Sequence, residues 1–289
     1  VHVKLLLMKN ILLPTDFSEN SWNAIKYAIS FFEKETCNFY LLHVNRLSNV
    51  IVNDSPYIAT QDVLVDVYTS PAKKQLRNIL KRIGKGFLPN KKHRFYTLFD
   101  YNFFIESVRK HVEEKKIDCI VMGTKGASGF KEIIVGSNTG DVITKVKCTT
   151  LVVPEDAQFV KLNEIAFPTD FSLTYNIEIL DPLSEILEKC KSTLRILHIS
   201  KKKTNLNSDQ NKSKELLEDY FSPLPHSFHY LTNKKVEDAV QCFVESRNIN
   251  MICMVAKNLN YFQQILFNSK VEAISYHTEI PFLVLHEKT

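Results

Sequence analysis

The chain has 289 residues, 44% hydrophobic and 24% charged, with a net charge of +5, a balance typical of a globular protein with two ordinary-sized domains. Its lysines are scattered and no basic stripe interleaves with stacking aromatics, which argues against nucleic acid as a partner. No apolar run approaches the roughly 18 residues of a membrane span.

Met8-Lys9-Asn10 reads as the natural start, and the preceding VHVKLLL as an extension outside the fold. The first expected strand, Ile11–Pro14, runs into Thr15-Asp16-Phe17-Ser18. Ser18 suits a helix N-cap, and Trp22, Ile25, Ile29 and Phe32 recur at helical spacing after it. A strand follows at Asn38–Val44. Asn45–Ser70 is then a long excursion (a lid, an interface segment or a loop) before a helix starting near Pro71 and covering Ala72–Lys85. Next come a strand at Phe95–Leu98, a helix at Phe103–Lys115, a strand at Ile117–Met122, a short helix at Asn138–Lys147 and a strand at Thr150–Val153.

The chain then repeats itself. IAFPTDFS at Ile165–Ser172 echoes LLPTDFS at Leu12–Ser18, with Ser172 as the matching cap before Ile177, Leu180, Leu183 and Leu187. TLRILHI at Thr193–Ile199 echoes NFYLLHV, Ile249–Met254 echoes Ile117–Met122, and Leu283–Leu285 echoes Leu151–Val153. The second copy is shorter by about 22 residues, lost between its second strand and third helix. Alternating apolar strands and helices imply a doubly wound parallel sheet in each copy. Such sheets bind ligands beyond the carboxyl ends of their strands, where strand order reverses. If the strands ending at Pro14 and Met122 are neighbours there, Thr15-Asp16 and the residues from Gly123 onward share one crevice.

Five of the seven glycines, Gly123, Gly126, Gly129, Gly136 and Gly140, lie in that following stretch. Glycine allows positive φ and close approach of a ligand to backbone, so the cluster reads as a phosphate cradle or as a set of tight turns. Gly123 is followed after two residues by Gly126 and after nine more by Gly136-Ser137. That is neither the Walker nor the dinucleotide pattern. Gly136-Ser137-Asn138-Thr139 would offer N–H groups and hydroxyls at a helix start, where phosphate is a natural guest.

These residues resemble the nucleotide-binding branch of the universal stress protein family, whose pattern G-x2-G-x9-G-[S/T] is reproduced from Gly123 to Ser137. The resemblance covers both copies and implies two tandem α/β domains with strand order 3-2-1-4-5, of the adenine nucleotide alpha hydrolase-like kind. The first spans residues 8–157 with the motif intact, and the second spans residues 160–289 in degenerate form. By position, it implies that Pro14, Thr15 and Asp16 line the adenosine end, with Asp16 accepting a ribose hydroxyl, and that Val44 offers backbone hydrogen bonds to adenine. Met122, Gly123, Thr124, Lys125 and Gly126 would flank ribose and phosphates. Gly136, Ser137, Asn138 and Thr139 would hold the phosphate tail. The implied ligand is ATP, ADP or AMP, with Mg2+ held by phosphates, Ser137 and water. The family dimerises through its last strand. This implies an internal pseudo-dimer, Leu151–Val153 pairing with Leu283–Leu285, or a homodimer of chains.

Rival readings stand beside these. Asp16 either binds ribose or caps the first helix. His43, with its counterpart His198, reads as a buried structural histidine, and His226-x-x-His229 as two histidines without a metal. Cys37, Cys119, Cys148, Cys190, Cys242 and Cys253 read as small hydrophobes in a reducing, cytoplasmic setting. In the second copy Val255, Asn258 and Asn268 replace the three glycines when Ser269 is aligned with Ser137, so one nucleotide per chain is expected. Three functions compete: a regulatory adenine-nucleotide binder in the stress response, a slow ATPase or phosphotransferase, and an interaction scaffold whose motif is a relic.

Overall fold

The computed structural model describes residues 8–45, 61–124, 137–171, 176–200, 205–233, 236–256 and 280–287; for 61–69 and 237 only the backbone is described. In chain order the N-terminal half holds β1 (Lys9–Pro14), α1 (Glu19–Phe31), β2 (Cys37–Asn45), α2 (Gln61–Gly86), β3 (His93–Tyr101), α3 (Phe104–Glu114), β4 (Cys119–Gly123), α4 (Ser137–Lys145) and β5 (Thr150–Val153). The C-terminal half holds β6 (Glu164–Thr169), a 3-10 turn at Ile177–Leu180, α5 (Asp181–Cys190), β7 (Thr193–Ser200), α6 (Ser208–Phe221), β8 (His226–Thr232), α7 (Val236–Arg247), β9 (Met251–Val255) and β10 (Phe282–Leu285).

The ten strands among the described residues form one sheet, in the order β3-β2-β1-β4-β5-β10-β9-β6-β7-β8. Each half is parallel and runs in the expected order. The halves meet through an antiparallel pair in which Leu283 faces Leu151 and Phe282 faces Val152. The two expected sheets are therefore continuous. The central strands are buried throughout, as CIVMG in β4 and TLVV in β5 show, because helices cover both faces.

One face carries a core shared by both halves. Trp22, Ile25 and Ile29 of α1 and Leu76, Ile79 and Ile83 of α2 belong to the same cluster as Leu183 and Leu187 of α5 and Leu217 and Phe221 of α6. On the opposite face, Val108 of α3 and Val142 of α4 cover the N-terminal half. Val240, Phe243 and Val244 of α7 cover the C-terminal half, and Ile143 of α4 packs among them. The connection between the halves is also tied down. Asn23 donates to the carbonyls of Pro154 and Ala157 at 3.1 and 2.9 Å, and Phe159 meets Tyr27 edge-on.

Two helices depart from the sequence reading. The α2 helix begins at Gln61, ten residues before Pro71, which lies inside it. The end of the excursion is thus helical, while residues 46–60 lie outside the described set. After β6 the expected cap Ser172 also lies outside that set. The next helical structure is the 3-10 turn capped by Asn176, whose side chain accepts from Glu178 N, and α5 follows with a proline in its first turn. Pro182 suits a helix start because its missing N–H would lack an intrahelical partner anyway.

Candidate functional site

Strand order reverses between β1 and β4, so the chain leaves these neighbours on opposite courses and a crevice opens beyond their ends. Leu12 pairs with Ile120, which brings Thr15 level with Gly123. Two helices start at this end of the sheet. In α1, Ser18 is the N-cap, its hydroxyl accepting from Ser21 N at 3.1 Å. The first turn of α4 is pinned to the end of β4 by Thr139 Oγ1, which donates to the Gly123 carbonyl at 2.8 Å. A helix start carries N–H donors without intrahelical partners and a partial positive charge, which favours an anion beside it.

The corner after β1 is heavily constrained. Thr15 is buried; its N–H donates to Leu42 O at 2.8 Å, and its Oγ1 accepts from Phe17 N at 3.0 Å and bonds Ser21 Oγ at 2.9 Å. Its carbonyl meets His43 Nδ1 at 2.8 Å, which fixes Nδ1 as the protonated ring nitrogen, since a carbonyl only accepts. Phe17 takes a left-handed backbone (φ 68°), at a cost of roughly 1–3 kcal/mol for a non-glycine residue, and its ring packs 4.2 Å from that of His43. Asp16 is exposed. Ser18 N and Oγ both donate to its Oδ1, at 3.0 and 2.6 Å, so Asp16 orients the capping serine and Ser18 itself caps the helix.

Pro14 is the last residue of β1, paired with Leu42. Leu42 directs its carbonyl toward β1, and Val44, two residues on, has the same orientation. By that point β1 has turned away, so Val44 presents its amide and carbonyl to the crevice. Met122 is 6% exposed, its side chain is part of the core and its backbone pairs with β5, so the structure offers little of it to the site. Thr124 is buried and donates its N–H to Val153 O at 3.2 Å. Ser137 and Asn138 are exposed at the start of α4, whereas Thr139 is buried. Lys125, Gly126, Gly129 and Gly136 lie outside the described residues.

Gly123 is a glycine for a reason the spacing did not disclose. Its φ is outside the left-handed region, so conformational freedom is not what the position needs. A Cβ there would lie 2.5 Å from Asn20 Oδ1 and 2.8 Å from Asn20 Cγ, because the α1 amide packs directly on the strand end.

The C-terminal half repeats the corner. Phe171 has φ 55°, its N–H donates to Thr169 Oγ1 at 3.0 Å, and His198 Nδ1 meets the Thr169 carbonyl at 3.0 Å with the two rings stacked at 4.9 Å. Burial pulls the His198 pKa below its ordinary value, against the opposing pull of that carbonyl. The surroundings differ. Gln210 of α6 donates to the Asp170 carbonyl at 2.8 Å, and Val255 pairs with Leu285 as Gly123 does with Val153. Val255 thus stands where the sequence alignment places it, while Asn258, Asn268 and Ser269 lie outside the described residues. His226 and His229 are both in β8, three apart and so on opposite faces. His226 pairs with Glu218, and His229 bonds Ser227.

The family model described as "Universal stress protein family" matches residues 105–154, which run from α3 through β4 and α4 to β5. A universal stress protein of Methanocaldococcus jannaschii is 29% identical over 158 residues, covering 51% of this chain and 96% of that protein. A second one from the same organism is 28% identical over 147 residues, covering 51% and 82%. These matches support the universal stress protein family. Among solved structures, a universal stress protein from Archaeoglobus fulgidus shares the fold at a TM-score of 0.69 and 19% identity, covering 95% of this chain and 97% of that one. A putative universal stress protein from Pseudomonas aeruginosa does so at 0.60 and 12%, covering 97% and 94%. The curated relatives thus correspond to half of this chain, and the solved structures to nearly all of it.

Proposed function

We propose that the chain binds one adenine nucleotide, ATP or a close relative, at the β1/β4 crevice of its N-terminal half, and that occupancy regulates the protein rather than feeding a reaction. The observation that carries this reading is the start of α4. Thr139 fastens the Ser137 end of that helix beside Gly123, so the first and last residues of the G-x2-G-x9-G-S motif lie at one end of the crevice. Phosphates there would meet α4 N–H groups and the exposed Ser137 hydroxyl, which also suits a ligand of phosphate-bound Mg2+. Ribose would meet Asp16, and adenine the open backbone of Val44.

The route from such a site to the rest of the molecule supports regulation. Ile143, two turns into α4, packs in the C-terminal half's core. His286, just after β10, is held to the Ile143 backbone. The β5–β10 pair then makes the two halves an internal pseudo-dimer, with residues 8–157 as the binding domain and 160–289 as the degenerate one. In that second domain Val255 fills the position of Gly123.

Titration of nucleotide-stripped protein with Mg-ATP, repeated on Gly136→Val, tests the reading. Saturable binding lost in the variant supports it; no binding to folded parent protein returns the scaffold reading to first place. Phosphate release measured in parallel separates a ligand from a substrate. Turnover of parent protein abolished by Gly136→Val would make the site catalytic.

A further inference from the structure

We infer that His43 is a positioning residue for the ribose end of the site, acting through the Thr15 carbonyl and the Phe17 ring to aim Asp16 into the crevice. The inference rests on the nucleotide reading above.

Asp16 is exposed at a corner between two fixed residues, and its own described hydrogen bonds go only to Ser18. Its direction is therefore set by those two bonds and by the backbone on either side. On the Thr15 side, the peptide that joins Thr15 to Asp16 is held by His43 Nδ1 at 2.8 Å. On the Phe17 side, the left-handed turn is covered by the His43 ring at 4.2 Å. One imidazole thus grips both flanks of Asp16. The imidazole is itself braced by Phe99, which stacks beyond it at 6.2 Å, and Nε2 lies 2.9 Å from Asn45 Oδ1. With Nδ1 protonated, that contact is a hydrogen bond once the Asn45 amide is turned so that its NH2 donates to Nε2. The residue after His43 is Val44, whose backbone faces the same crevice, so adenine and ribose contacts are built on adjacent residues of one strand.

The copy in the C-terminal half sharpens the argument. His198 makes the same bond to Thr169 and a comparable ring contact with Phe171. A purely structural corner therefore has an internal control within the same chain, since the second crevice carries Val255 and Gln210 beside the corner. Loss of His198 reports what the corner does for folding. Loss of His43 reports folding plus any effect on ligand.

The test compares ATP with 2′,3′-dideoxy-ATP, which lacks both ribose hydroxyls, on the full chain. His43→Phe keeps a ring for Phe17 and removes the Nδ1 donor. His43→Asn keeps a donor near the Nδ1 position and removes the ring. His198→Phe is the matched control. The parent should prefer ATP by about tenfold or more, and His43→Phe should bring that ratio toward one while still binding the dideoxy nucleotide. Asp16→Ala should do the same, and the double variant should be no weaker than Asp16→Ala alone, because both changes remove one contact. His43→Asn should keep most of the preference and His198→Phe all of it. A ratio unchanged in His43→Phe overturns the inference, as does equal loss of both nucleotides. If His43→Phe does not fold, loss of the preference in folded His43→Asn overturns the donor role. A folded parent that binds neither nucleotide overturns the binding reading itself, and this inference with it.

Discussion

Asn20 and Gly123 meet where α1 crosses the end of β4, so closely that a Cβ on Gly123 would sit 2.5 Å from Asn20 Oδ1. Helix and strand are in contact at the floor of the crevice, and the first glycine of the motif serves that packing directly. Gly123→Ala should therefore destabilise the protein by about 1–3 kcal/mol even without ligand. Asn20→Ala should relieve much of that cost in the double variant. Urea unfolding of the four proteins measures the coupling; strict additivity would mean the two residues do not press on each other. It also follows that loss of nucleotide binding in a bulky Gly123 variant would say little about phosphate, which is why Gly136 is the better probe.

Thr139 is buried and its hydroxyl is committed to the Gly123 carbonyl, so its part is to place α4. Thr139→Val keeps the shape and removes the donor. It should cost about 1 kcal/mol of stability and weaken Mg-ATP binding several-fold more than it weakens adenosine binding, since only phosphate depends on the start of α4. Equal loss for both ligands in calorimetric titrations would contradict that division.

A network of four charges crosses between the halves. Lys9 meets Glu185 at 2.9 Å and Glu35 at 3.5 Å, and Lys189 meets Glu35 at 2.8 Å. Burial disfavours the Lys9 ammonium, yet Glu35 and Glu185 together outweigh it and raise its pKa above the ordinary lysine value. A raised lysine stabilises below its unfolded pKa and loses that contribution only as pH climbs through the folded value, so this effect is fully present at neutral pH. Lys9→Met should lower stability by about 1–2 kcal/mol, between the values typical of exposed and buried pairs. The loss should show in thermal unfolding at pH 7 and low salt.

Acid should weaken the fold through its buried histidines. Burial pushes His286 down to about 4, partly opposed by its bond to the Ile143 backbone, and burial likewise lowers His198 and His229. An unfolded chain binds protons on these residues near pH 6.5 whereas the folded one resists, so stability should fall as pH drops from about 6.5 toward 4. His286 alone accounts for roughly 3 kcal/mol at the acid end. Denaturant midpoints between pH 7 and 4 should show the decline, and His286→Leu should flatten it. An unchanged slope in that variant would place the acid sensitivity elsewhere.

The strands and the repeat are legible because parallel strands buried on both faces leave continuous apolar runs, and Ile117–Met122 and Leu151–Val153 are such runs; the strand order is implied only by the family resemblance. The start of α2 is not legible, because Pro71 reads as a helix beginning when taken alone, whereas here the helix continues through it. The turn before α5 is not legible either, because the duplicated Ser172 reads as the cap whereas Asn176 and Pro182 stand at the starts of the 3-10 turn and of α5. Among site residues, the left-handed backbone of Phe17 gave no sign, since phenylalanine rarely adopts it. The available signal was the pairing of Thr-Asp-Phe with a later histidine, 28 residues from Thr15 to His43 and 29 from Thr169 to His198. Sequence reasoning saw those histidines as structural, and their bond to the threonine carbonyl emerges only in three dimensions. The sequence reads Gly123 for positive φ or for close approach of a ligand to backbone; the structure removes the first reason and adds close packing against Asn20.

The central claim is that one half of a doubled fold holds a nucleotide and the other does not. Equilibrium dialysis of stripped protein against labelled ATP with Mg2+, taken to saturation, counts the sites directly. One nucleotide per chain, lost in Gly136→Val, is the predicted result. A count near two, or a single site that survives Gly136→Val, would contradict it.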